Sequence, residues 1–198
     1  MIYAEFIERD RRIPLEIHQV FSRQDQWSGD GDEKVVNIAR TKAIGPPPAC
    51  LCCWRIRDIS RMDEWEAHFR SAEGRQDVAE WATYHALDFQ RAGLYDEVIE
   101  TAMPAEGLHL VEFFRPDETV SDEEIRRHFA ERGKAHSAGR PSALLRRVGL
   151  LGPDPGGVAI WTFPNYAQME RMARHAHGES PLKPTAAGLY RNVGQESI

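Results

Sequence analysis

A chain of 198 residues, 41% of them hydrophobic, can bury a real core in one large domain or two small ones. A formal net charge of −6 leaves no basic surplus for nucleic acid or an anionic membrane. No apolar run reaches membrane-spanning length, the N-terminal stretch lacks a signal-peptide shape, and Cys50, Cys52 and Cys53 form an odd, clustered set, so a reducing, cytoplasmic setting is expected.

Residues 2–8 alternate in polarity and read as a strand, and Pro14 opens a helix through about Phe21 with Ile17 and Phe21 one turn apart. Val35 to Ile44 and Cys50 to Ile56 flank a Gly-Pro-rich turn and predict a hairpin. Asp58 or Ser60 caps a helix carrying Met62, Trp65 and Phe69 on one side. Residues 76–91 predict a further helix, with Trp81 and His85 one turn apart and Tyr84 beside them. Gly93 to Ile99 is a strand, and Pro104 to Gly107 a short linker. Leu108 to Phe114 is the next strand, and Ser121 with Glu124 makes a capping box for a helix to about Gly133. Strands at Ala143–Leu151 and Val158–Phe163, a helix from Tyr166 to His175 and a strand at Leu189–Val193 complete the chain.

The second half echoes the first. Residues 40–54 and 147–161 match without a gap at Arg40/Arg147, Gly45/Gly152, Pro46/Pro153, Pro48/Pro155 and Trp54/Trp161, every pair 107 positions apart. Glu5-Phe6 falls on Glu112-Phe113, Met62 on Met169 and His68 on His175 at the same offset, and Ala-Gly-Leu-Tyr recurs at 92–95 and 187–190. The order β-α-β-β-α-β in each half is the ferredoxin-like arrangement. An α+β fold is expected: two ferredoxin-like units in tandem, 1–103 (with an inserted helix near 76–91) and 104–198, their open sheet faces buried against each other as an intramolecular dimeric α/β barrel.

The sequences HLVEFF (109–114), SDEEIRRHFAERGKAH (121–136) and GVAIWTFPNYAQMERM (157–172) resemble the dimeric α/β-barrel superfamily, and within it EthD-like and NIPSNAP-like chains. EthD-like chains have Ser-x-Glu-Glu and a helix ending in His-Ala; here the order is Ala135-His136. The resemblance implies a small-molecule pocket on the helix side of a sheet. It also implies a choice of chemistries, from cofactor-free monooxygenases, cyclases, isomerases and lyases to relatives that bind haem.

Matched residues are most simply fold residues, and unmatched polar ones are candidates for chemistry. Trp54 and Trp161 read first as core, with substrate stacking as the other reading. Glu5/Glu112 and Arg40/Arg147 read as Glu–Arg pairs that keep a buried carboxylate ionised, with substrate binding by Glu112 and Arg147 as the alternative. His175 and His177 lie two apart on a helix and cannot converge on a metal, nor can the three cysteines. No Walker loop, GxGxxG or GxSxG motif occurs, so nucleotide binding and serine-hydrolase chemistry have no support; no cofactor and no metal are expected.

The unmatched histidines are His109, His136 and His85. His109 shares a strand face with Val111 and Phe113, a face expected to look toward the helices, where desolvation would leave a neutral imidazole able to act as a base. His136 is its expected partner from the end of the helix. Trp81, Tyr84 and His85 are expected to cover a pocket mouth. The expected activity is therefore cofactor-independent proton transfer, as in an isomerase, cyclase or lyase, on an aromatic or carbonyl-bearing small molecule. A haem-binding or oxygen-using monooxygenase-like enzyme and a non-catalytic ligand-binding module are the alternatives. Partners expected are a small-molecule substrate, no nucleic acid and no membrane, with a homo-oligomer left open.

Overall fold

The computed structural model describes residues 1–8, 31–42, 44–72, 74–75, 90–116, 118–136, 141–154, 156–174, 182 and 184–192. Along the chain the elements are β1 (Ile2–Ile7), β2 (Glu33–Arg40), β3 (Cys50–Arg55), α1 (Arg61–Arg70), β4 (Gln90–Ile99), β5 (Leu108–Phe114), α2 (Asp122–Ala135), β6 (Ala143–Arg147), β7 (Gly157–Phe163), α3 (Tyr166–Arg174) and β8 (Pro184–Asn192). The expected helix at 14–21 and most of the expected helix at 76–91 lie outside the described residues. Gln90 and Arg91, assigned to that helix by the sequence, are strand residues pairing with Ile7 and Phe6.

The strands close into a barrel in the order β1-β3-β2-β8-β5-β7-β6-β4. Every pairing among the described residues is antiparallel. The strands of the first half stand side by side as β4-β1-β3-β2 and those of the second as β8-β5-β7-β6, joined by β2·β8 and β4·β6.

Both faces of the sheet are buried, by different means. Ile2, Ala4, Phe6, Val36, Ile38, Leu51, Cys53, Tyr95, Val111, Phe113, Leu145, Val158, Ile160 and Tyr190 meet in the barrel interior. On the outside of the second half, Leu108, Leu110, Phe114, Ala159 and Trp161 pack under Ile125 and Phe129 of α2 and Met169 and Met172 of α3. On the outside of the first half, Cys52, Trp54, Ile56 and Tyr3 pack against Met62 and Trp65 of α1.

The residues shared by the two halves sit where the halves meet. The Leu189 N–H donates to the Ile44 carbonyl and the Thr41 N–H to the Leu189 carbonyl; at the other seam the Leu94 N–H donates to Leu151 and the Val148 N–H to Leu94. Gly45 and Gly152 lie at these crossings. A Cβ on Gly45 (φ +105°) would fall 2.3 Å from Gly188 Cα, and one on Gly152 2.9 Å from Gly93 Cα. Only glycine lets two backbones cross this closely. The matched arginines close their own turns, Arg40 Nη1 donating to the Gly45 carbonyl (2.8 Å) and Arg147 Nη1 to that of Gly152 (2.9 Å). The expected Glu–Arg pairing of Glu112 with Arg147 is therefore corrected: Arg147 serves its hairpin and pairs with Asp154 at 2.9 Å. A turn arginine whose neighbouring carbonyls need donors is held locally, out of reach of a strand face.

Candidate functional site at the end of helix α2

Helix α2 begins on the capping box read from the sequence. The Ser121 side chain accepts from the Glu124 N–H, and Glu124 Oε2 accepts from the Ser121 N–H at 2.8 Å. Its apolar side, Ile125, Phe129 and Gly133, is buried against the sheet. Ties at its start hold it in place: Arg126 Nε donates to the Val98 carbonyl (2.8 Å), and Arg146 Nη1 reaches Asp122 (3.0 Å) and the Val120 carbonyl (2.7 Å). From the strand register, the helix starts at the barrel end of Phe114, Gly157 and Arg146. It finishes at the end of Leu108, Phe163 and Ala143.

The last turns of α2 carry the charge. Glu112, on the outer side of β5, has no exposed surface. Arg132 grips it with both terminal nitrogens, at 2.7 and 2.6 Å, and the Trp161 indole N–H donates to the same carboxylate at 2.8 Å. Three donors, two of them cationic, compensate the desolvation of the carboxylate. Phe114, Phe129 and Trp161 stack in sequence around this pair, with ring centroids 5.0 and 6.0 Å apart. The equivalent Glu5 of the first half is only half-buried.

His128 and His136 stand one helical turn before and after Arg132, on the same side of the helix. His128 is edge-on to Phe129 (5.3 Å), and burial, then the Arg132 guanidinium, hold its pKa below the ordinary histidine value. His136 ends the helix half-buried, its N–H bonded to the Arg132 carbonyl.

A second polar group lies inside the barrel at the same end. His109 has no exposed surface. Its Nδ1 is 3.0 Å from Thr162 Oγ1, its Nε2 is 3.1 Å from Asn192 Oδ1, and Thr162 Oγ1 is 2.8 Å from Ser142 Oγ. The expectation that the His109 face looks toward the helices is corrected: Val111 and Phe113 of that face line the barrel interior, and Leu108, Leu110 and Glu112 face α2. Burial, with the field of Arg191, lowers the His109 pKa, and the bond to Asn192 opposes this.

Of the residues singled out by sequence, Glu112 and Trp161 are brought into one cluster, and His136 lies one helical turn beyond Arg132 of that cluster. His109 is on the other side of the sheet with both ring nitrogens engaged. Arg147 belongs to a hairpin turn, and Trp81, Tyr84, His85, His175 and His177 lie outside the described residues. Sequence reasoning passed over Arg132, although its place among Ile125, Phe129 and Gly133 on the helix's apolar side was a readable signal for a buried charge. Ser142, Thr162 and Asn192 carried no such signal. Among the described residues no group of three or more His, Cys, Asp or Glu side chains could hold a metal ion, and no helix is long and apolar enough to cross a membrane.

No family model matches the chain, and no curated protein is similar to it. Solved structures are. A chlorite dismutase from Candidatus Nitrospira defluvii superposes with a TM-score of 0.54 at 12% identity, over 96% of this chain and 90% of that one. A chlorite dismutase-like protein superposes with a TM-score of 0.56 at 12% identity, over 98% of this chain and 96% of the other. The fold shared with these structures is an α+β fold around a closed antiparallel barrel, eight-stranded among the described residues.

Proposed function

We propose that the protein is a small-molecule enzyme of the haem-binding or oxygen-using kind, with its site in the second half where α2 ends. The names of the structural neighbours support this reading over cofactor-independent isomerase, cyclase or lyase chemistry. One observation carries it: the buried Glu112–Arg132–Trp161 cluster fixes the last turns of α2, and that helix finishes on a half-buried imidazole.

Among the described residues, the donor set offers haem a half-buried imidazole at a helix end. A histidine imidazole is a common holder of haem iron. His109 has both nitrogens engaged, and His68 lies exposed on α1. His128, half-buried, is edge-on to Phe129 in the middle of the helix. His136, half-buried at the end of α2 beyond Arg132, is the residue that would hold the group. Bound there, haem would supply one-electron and oxygen chemistry. Arg132, held by Glu112, would keep a cation beside the site without moving, and Trp161 and Phe129 would wall off water.

The same reading takes the barrel as two ferredoxin-like units in tandem, 1–103 and 104–198, with EthD-like or NIPSNAP-like chains as further relatives. Support comes from the equivalent seams and the strand order repeated in each half.

Titration of the purified protein with hemin tests the proposal. A stoichiometric, sharpened Soret band is expected, lost in His136→Ala and kept in His109→Ala. A spectrum unchanged from free hemin overturns the haem reading and returns attention to proton-transfer chemistry.

A further inference from the structure

The hydrogen bonds around His109 leave one arrangement of protons. Asn192 Nδ2 donates to the carbonyls of Pro104 (3.0 Å) and Ala105 (2.7 Å), which can only accept, so its oxygen is the atom that faces His109. His109 Nε2 must then carry a hydrogen, and Nδ1 must accept one. Thr162 supplies it, and a hydroxyl that donates to Nδ1 is free to accept from Ser142. The chain runs one way, from half-exposed Ser142 to wholly buried His109.

We propose that Ser142, Thr162, His109 and Asn192 form a proton relay, in which Ser142 takes a proton from a protic small molecule at this barrel end and His109 stores it. As the substrate X–H gives its proton to Ser142 Oγ, the Ser142 proton passes to Thr162 Oγ1 and the Thr162 proton to His109 Nδ1. The substrate is left as X⁻ and His109 as imidazolium, its Nε2–H still bonded to Asn192. The reverse shift returns the proton, so no oxidant or other reactant is consumed. Ser142 is the residue that meets the substrate; Thr162, His109 and Asn192 act through it.

The surroundings suit a store that is empty at neutral pH. Arg191 on β8 is the charged group whose field reaches the ring, and it opposes protonation. On the same inner face stand Val111 of β5, Ile160 and Thr162 of β7 and Tyr190 and Asn192 of β8, and a Cβ on Gly107 would lie 3.9 Å from the ring; none of these carries a charge at neutral pH. Glu112 projects to the opposite face of β5, where Arg132 neutralises it.

The test uses the full chain without hemin or substrate, so its outcome is independent of the haem titration. With ¹⁵N-labelled histidine, NMR near pH ~7.5 should show His109 as the Nε2–H tautomer with Nδ1 accepting a hydrogen bond, and titration should load Nδ1 below the ordinary histidine range near ~6.5. In Thr162→Val, proton exchange at His109 should slow by more than about tenfold, and Thr162→Ser should restore it. The Nδ1–H tautomer in the wild type overturns the relay, as does a ring that takes up no proton before the protein unfolds. Equal exchange rates in a folded Thr162→Val would do the same. Should Thr162→Val fail to fold, Ser142→Ala supplies the comparison, with the same slowing expected.

Discussion

Replacing Arg132 with methionine is the sharpest test of the buried cluster. The substitution keeps most of the side-chain volume and removes the cation. Glu112 would then face the core with only the Trp161 N–H as donor, because it has no exposed surface and two of its three contacts, at 2.7 and 2.6 Å, come from Arg132. The Arg132 side chain is itself only 9% exposed, so solvent screening gives little discount. Breaking one partner out of a buried pair costs about 3–5 kcal/mol, and that is the loss expected for Arg132→Met in urea unfolding. The double variant Glu112→Gln with Arg132→Met removes the stranded charge and leaves an amide oxygen for Trp161. It should recover most of the loss, since a buried ion pair contributes little over neutral groups of similar shape. A loss below about 1 kcal/mol in Arg132→Met, or a double variant less stable than Arg132→Met, would refute the reasoning.

At the seams, Gly149→Ala adds a Cβ with nothing within 4 Å at φ +52°, and should cost only about 1–2 kcal/mol. Gly45→Ala drives a Cβ onto the Gly188 backbone and should cost several times more; equal melting temperatures would contradict the crossing. Stability should fall as pH drops below the ordinary histidine pKa. His109 and His128 titrate lower in the folded chain than unfolded, so the unfolded chain binds more protons in that window and stability is complete only above it. Melting curves of His109→Asn should show a shallower decline over the same range, and an unchanged slope would remove His109 from the account. Burial pushes the Cys52 and Cys53 thiols well up, so both should resist a thiol reagent at mildly alkaline pH until the chain is unfolded. Rapid labelling of the native protein would place them at the surface.

Most of the described elements were legible from the sequence because their signals are local. Ser121 and Glu124 spelled out the start of α2, alternating residues spelled out β1, and the Gly-Pro turns spelled out the hairpins. The matched glycines and arginines pointed to fold positions, and they lie at the seams and turns. What the sequence did not decide was which way β5 faces. All seven of its residues are buried, because the barrel interior covers one side and α2 with α3 the other. Alternation tells inside from outside only when one face is wet, so His109 was assigned to the wrong face. The partner of Glu112 was equally out of reach. Arg40 and Arg147 answer carbonyls five residues away along the chain, a local demand. Arg132 meets Glu112 only once α2 has docked, and Asn192 meets His109 only once β8 has paired with β5. Local chemistry set the elements, and the closure of the barrel decided which polar groups met.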